Sequence, residues 1–549
     1  MRYLCRSAVP VSALALLLLS CADQGPDPIT PGVDCDATTP VVLNPGESLV
    51  LSATANNGCI EIPAAGASGA RHLIVAYSGA GSETQNGVMG PFALASQSVA
   101  SASAPLPSPG FSGIEARNQA ARFHLGLRER GQDLSRDASR RANLAAPRIH
   151  RLPPTLGTQD TFKVCATVDC DSFVNVAATA RFVGPRGAIF MDNTVPTGGL
   201  TQADIDSLGA LFDGPSPNIF EIDTTAFGSP SDLDGNAVVI MLLTDAVNDL
   251  SGTCSDGSII LGYFFGLDLI SDPNSNDGEV FYGLVPDPTA SSCAASKDFV
   301  FENLPPVLIH ELQHMISFNQ HSLIRGGNSE QTWLNEALSH FAEELGGRQI
   351  QDARCPGFSS CLDQFSLGNL SNGFDYLTTP QTAFLVSPRS SFGTLRERGA
   401  EWLFLRWLVD HEAADTLLGT DLTRALVQTS ALGAANVASV TGQSFDQLVG
   451  QWQMANYTER LGGFVDGTGR LRYRTWDLVA TYNSLGVSYP LSPDSITNGV
   501  FAGTGFLRGG SGRHVLVVQG NNDPPLQLQL KGDNTFASLV PRYAVVRIQ

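Results

Sequence analysis

The stretch Leu304-Pro305-Pro306-Val307-Leu308-Ile309-His310-Glu311-Leu312-Gln313-His314-Met315-Ile316 leaves this chain little freedom in how it folds. Its apolar residues recur at helical spacing and the paired prolines suit a helix start, so a helix is expected over residues 305–319. Residues four apart share one face of a helix, which lets His310 and His314 present both imidazoles to a single ion. Glu311 lies beside that face, where its carboxylate can take a proton from a water activated by the ion.

A catalytic zinc site closes with a third protein ligand and keeps a position for water. The metzincin arrangement would place Gly at 317 and His at 320, but the chain has Ser317 and Gln320, with His321 one residue out of register. The other common arrangement takes a Glu from a following helix. Trp333-Leu334-Asn335-Glu336-Ala337-Leu338-Ser339-His340-Phe341-Ala342-Glu343-Glu344 supplies one, with 21 residues between it and His314 and after a Gly326-Gly327 loop. Glu336 is therefore the candidate third ligand. His340, one turn later on the same face, is placed to orient a ligand, and His340 as the ligand itself is the competing assignment. Glu343 and Glu344 read as a solvated or structural acidic face.

HELQHMI followed by WLNEALSHFAEEL resembles the gluzincin class of zinc metallopeptidases and, within it, the hyicolysin family. Residues 227–236 (FGSPSDLDGN), together with Ser275, Asn276, Glu279 and Tyr282, are similar to that family's region before the catalytic helix. The resemblance covers roughly residues 160–460 and is strongest at the two zinc helices. It implies a zinc-dependent endopeptidase with His310, His314 and Glu336 as ligands, Glu311 as base, and protein or peptide substrates. Thermolysin, a more distant relative on this reading, has an Asp where this chain has His340.

Such a site also calls for a donor to the tetrahedral oxyanion, usually a Tyr or His farther along the chain, and Tyr376 and His411 are candidates. Asp232, Asp234 and Asn236 surround a Gly turn as a calcium loop would, without full EF-hand spacing; an Asx turn leading into the next strand is the competing reading.

The N-terminus bears on the compartment. Arg2 and Arg6 precede an apolar run over residues 9–19, too short for a bilayer span, and Leu18-Leu19-Ser20-Cys21 resembles the bacterial lipobox. The expectation is a signal peptide over residues 1–20, lipidation at Cys21, a tether over 21–33, and an exported protein anchored at the envelope or secreted. The 549 residues carry a formal charge of −20, and losing two signal arginines makes the chain more negative still. That charge argues against nucleic acid as a partner. Membrane contact is expected only through the lipid. Excluding Cys5 and Cys21, eight cysteines fall into near-neighbour pairs, Cys35/Cys59, Cys165/Cys170, Cys254/Cys293 and Cys355/Cys361, which suits four disulfides in an oxidising compartment.

The expected fold class is α+β: a gluzincin-like metalloprotease domain over residues 156–465, flanked by small β-sandwich-like domains at 34–95 and 466–549. Between them, residues 96–155 read as a linker with an Arg-rich helix; residues 115–151 hold nine Arg against two Glu and two Asp. Such a strip suits a solvated face or an inter-domain clasp better than a membrane contact. Two other functions compete: a surface binding module with a vestigial zinc helix, and a metallo-aminopeptidase for small substrates. A purely structural site has no use for Glu311, and Gly87-Val88-Met89-Gly90 only echoes the amine-recognition segment of such aminopeptidases.

Overall fold

The computed structural model describes residues 32–83, 89–98, 119–137, 150–252, 259–290, 293–355, 357–389 and 394–549. The signal peptide, Cys21, the tether up to residue 31, Gly87-Val88, Cys254 and most of the expected linker lie outside these residues. Among the described residues no helix is long and apolar enough to cross a membrane. The chain combines three sheets with a set of helices, compatible with the α+β class.

Two five-stranded sheets form a sandwich built from both ends of the chain. The N-terminal part contributes β1 (Thr39–Pro40), β2 (Ser48–Ser52), β3 (Cys59–Ile62), β4 (Ala70–Ser78) and β5 (Met89–Ser98). The C-terminal part contributes five more. We number them β12 (Asp494–Ile496), β13 (Phe501–Arg508), β14 (Gly512–Gln519), β15 (Leu526–Gly532) and β16 (Pro541–Arg547). The strand orders are β1-β3-β15-β5-β13 and β12-β14-β4-β16-β2. The sequence reads two separate β-domains, whereas nearly every ladder here pairs an N-terminal with a C-terminal strand. Local alternation reports which face of a strand is apolar but not which partner lies beside it. Leu526, Leu528 and Leu530 of β15 point inward with Ile60, Ile62, Phe92 and Leu94.

Strand β4 is buried on both faces. Ile74 and Ala76 enter the sandwich core, while Leu73, Val75 and Tyr77 join the larger core of the helical body. There the Tyr77 hydroxyl donates to the Asp446 carbonyl at 2.6 Å, tying the sandwich to the helix Phe445–Thr458.

The middle of the chain forms a six-stranded mixed sheet: β6 (Gln159–Cys165), β7 (Phe173–Val183), β8 (Gly187–Asp192), β9 (Val239–Leu243), β10 (Gly262–Phe264) and β11 (Val280–Gly283). Its order is β10-β11-β9-β8-β7-β6, with β8, β9 and β11 parallel and β10 an antiparallel edge. Helix Gln202–Asp213 begins at a Thr201–Asp204 capping box. The two helices that carry the site pack on each other below β10. They are the long helix Lys297–Phe318 and the following helix Thr332–Gln349.

The long helix starts eight residues before the expected position, capped by Ser296, and both prolines lie inside it. A proline at position i leaves the carbonyl of i−4 unpaired. Pro306 thus frees the Glu302 carbonyl, which accepts from Gln364 Nε2 at 2.7 Å on helix Cys361–Thr378. A neighbouring helix satisfies what the proline removed, so the turn survives.

Disulfides join Cys35–Cys59, Cys165–Cys170 and Cys355–Cys361. Cys293 is also disulfide-bonded.

Candidate metal centre and active-site cleft

Residues 308–318 and 333–347 are buried throughout, so the polar side chains they carry must find partners inside the protein. His310 and His314, one turn apart, bring their Nε2 atoms to 3.1 Å of each other. Two imidazoles on one tetrahedral zinc, with bonds of about 2.0–2.1 Å, would hold their nitrogens roughly 3.3 Å apart. Glu336 faces the same point from the second helix: Oε2 is 3.4 Å from His310 Nε2 and Oε1 is 3.6 Å from His314 Nε2. Glu336 Oε2 is buried and makes no hydrogen bond. Two converging imidazole nitrogens and a carboxylate oxygen without a donor fit a divalent, zinc-like cation. His310, Glu311 and His314 also form a group able to hold a metal ion.

The charges of the cluster are mutually dependent. Burial opposes ionisation of Glu336, yet Arg398, His314 and His310 hold its carboxyl well below the usual range. Burial pushes His310 down, but the neighbouring carboxylates of Glu336 and Glu343 raise it to about 9. His314 is held well below its usual value by burial and by the Arg128 charge.

Glu311 stays close to the imidazole pair, its carboxylate within the same group of potential ligand atoms. Its Oε2 accepts from the Phe264 backbone N–H of edge strand β10 at 2.8 Å and from Arg128 Nη2 at 2.8 Å.

Glu343 lies apart from any solvated acidic face. Its Oε1 is 2.6 Å from His310 Nδ1 and 3.1 Å from His340 Nδ1. The carboxylate holds the His310 ring at Nδ1 while Nε2 faces His314 and Glu336, the arrangement in which a carboxylate can support a metal-binding histidine. His340 shares that carboxylate, and with His310 and Glu343 it makes a second group able to hold a metal ion. Glu344 is fully buried for another reason: its carboxylate accepts from Trp402, Trp476, Arg348 and Arg406 and ties the helices together.

Arg398 opens the helix Leu395–Glu412 and brings Nη2 to 3.7 Å from Glu336 Oε2. Neighbouring Gly399 allows this approach, because a Cβ there would collide with the backbone of Asn372. A cavity of about 470 Å³ adjoins the cluster, lined by His310, Glu311, His340, Glu343 and Arg398 and by apolar side chains such as Leu261, Val307 and Phe365.

Three sequence candidates fall elsewhere. Tyr376 is buried in the helical core, stacked on Trp452 and hydrogen-bonded to Gln453 Nε2 at 3.1 Å. His411 packs against Trp407 with Nε2 2.9 Å from the Arg472 carbonyl. Asn236 donates to Asp234 and accepts from the Val238 N–H, so it completes an Asx-type turn; Asp232, Asp234 and Glu279 are the carboxylates that cluster there.

Sequence reasoning missed Glu343, Arg398 and Arg128. The 336/340/343 spacing on one helical face could have revealed Glu343. Nothing local marks the two arginines.

The chain is 32% identical over 194 residues to the neutral metalloprotease ShpI of Staphylococcus hyicus. That stretch covers 34% of this chain and 42% of the relative, so the chain spans less than half the length of the curated protein it matches. No family model matches the chain. The partial likeness, with the His310–Glu311–His314 group, supports a relationship to metallopeptidases at the level of a broad family.

Proposed function

We propose that this chain is an exported zinc-dependent endopeptidase of the hyicolysin type, lipid-anchored through Cys21 and acting on protein or peptide substrates. The observation that carries the reading is the meeting of His310 Nε2, His314 Nε2 and Glu336, with the Glu311 carboxylate beside them. His310, His314 and Glu336 would hold the ion, and Glu343 would keep His310 in the ligating orientation. A bound zinc supplies a Lewis acid that polarises a peptide carbonyl and makes water a better nucleophile. Glu311 accepts the proton of the attacking water and hands it to the leaving amine. Its carboxylate is aimed by the Phe264 N–H, which belongs to the rigid edge of the sheet. Burial of the cluster excludes bulk water and strengthens each of these electrostatic contacts.

The test is a zinc count on the purified chain, with casein and short aminoacyl substrates assayed before and after chelation. Casein cleavage lost on chelation and restored by zinc is expected. Cleavage that survives chelation rules the mechanism out, and action on aminoacyl substrates alone favours an aminopeptidase.

Glu343→Ala is expected to weaken zinc binding about 10–100-fold, because His310 loses the carboxylate that fixes its tautomer and orientation. Competition against a chromophoric chelator measures it. Unchanged affinity would remove Glu343 from the metal centre.

A further inference from the structure

The cleft contains a helix from a distant part of the chain. Helix Gln119–Arg136 lies across the site, and Arg128 reaches into it with a side chain only 6% exposed. Its guanidinium donates to Glu311 Oε2 at 2.8 Å, to Glu336 Oε1 at 3.4 Å and to the Phe264 carbonyl at 3.3 Å. One turn earlier, His124 approaches Glu311 Oε1 at 3.8 Å and lines the cavity. Helix and site therefore share both carboxylates that the proposed chemistry uses.

The helix is anchored on both banks of the cleft. On the sheet side, Phe123 is buried edge-on against Tyr263 and Arg130 donates to the Cys170 carbonyl at 2.6 Å. On the helical side, Gln132 donates to the Glu330 carbonyl and to Thr332 Oγ1, and Ser135 Oγ accepts from the Ser329 N–H at 2.9 Å. Yet the helix contributes to no sheet. In the chain it lies between β5 of the sandwich and β6 of the mixed sheet, so every β-ladder is complete without it.

We propose that helix Gln119–Arg136 is an internal inhibitory plug, with Arg128 the residue that holds Glu311 and Glu336 out of use until the helix leaves the cleft. This rests on the metallopeptidase reading above. The cation of Arg128 repels a metal dication from Glu336 and occupies an oxygen with which Glu311 would accept a proton. A bidentate-capable, permanently charged guanidinium suits this task better than an ammonium would. The segment before the plug must stay, since β1–β5 interleave with β12–β16, so activation displaces an internal element and spares the N-terminal strands.

The test compares the full chain with Arg128→Ala and Arg128→Glu. Zinc affinity is read by chelator competition, casein cleavage at saturating zinc, and amide exchange over residues 119–136. Both variants are expected to bind zinc and cleave casein at least about tenfold better than the parent, the loss of one charge-assisted contact being worth that much. Exchange across the helix should rise in step, and a synthetic peptide of residues 119–136 added in trans should return Arg128→Ala towards the parent rate. Equal zinc affinity, equal cleavage and unchanged exchange in parent and variants would overturn the plug. Zinc affinity that rises as expected while no chain cleaves any substrate would leave the plug standing and sink the protease reading instead.

Discussion

Glu311→Gln is expected to lower casein and peptide cleavage by about 10²–10⁴-fold while leaving one zinc per chain. The substitution keeps the size of the side chain and an oxygen that can accept from the Phe264 N–H, but it removes the basic carboxylate. The proposed ligands His310, His314 and Glu336 are untouched, so metal content separates this outcome from loss of the site. The comparison belongs in the Arg128→Ala background, where the rate of the parent is not set by the plug. Each chain is assayed for kcat/KM on one peptide and for zinc by metal analysis. A Glu311→Gln variant that cleaves within about threefold of its parent would move the base to another residue.

Deleting residues 494–549 is expected to abolish the cooperative fold of the sandwich and to destabilise the helical body beneath it. Among the N-terminal strands only β1 and β3 pair with each other, and through two residues; β2, β4 and β5 find their partners only among β13–β16. The deletion also strips Val515, Val517, Leu526, Leu528, Leu530, Tyr543 and Val545 from the core. At about 1.5–3 kcal/mol for each fully buried apolar side chain, their loss is on the order of 10 kcal/mol. That matches the whole stability of a typical domain, about 5–15 kcal/mol. Exposed β4 and β5 would then present long unpaired edges, which promote aggregation. Solubility, near-ultraviolet circular dichroism and exchange protection over helix Phe445–Thr458 measure the effect. A soluble truncated chain with native protection would show that the C-terminal strands form an independent module.

How much was legible beforehand follows from the range of the interactions involved. The helix at 332–349 forms where residues 333–344 were expected to supply a second helix, because apolar periodicity is a local signal that burial then obeys. The expected near-neighbour pairs Cys35–Cys59, Cys165–Cys170 and Cys355–Cys361 form for the same reason. The start of the long helix was not legible, since the carbonyl freed by Pro306 is taken up by Gln364 on another helix. Nor did anything local show Tyr376 and His411 to be packing residues: a Tyr or His that donates into a cleft looks the same in sequence as one stacked on a tryptophan.

The sequence by itself determined the chemistry available at one place. Helical spacing brings His310 and His314 to one side, and a second helix carrying Glu336 can face them, because both follow from contacts a few residues or one loop apart. Only the tertiary structure decided what surrounds that place. Glu343 turns towards the cleft because its helix is buried, and there its carboxylate meets His310 and His340. Arg128 meets Glu311 across 183 positions of chain because two buried carboxylates need a cation and a distant helix brings one. The same reach makes one sandwich of two β-modules: ladders are satisfied by whichever strand lies alongside, and adjacency in space is invisible to a pattern read along the chain.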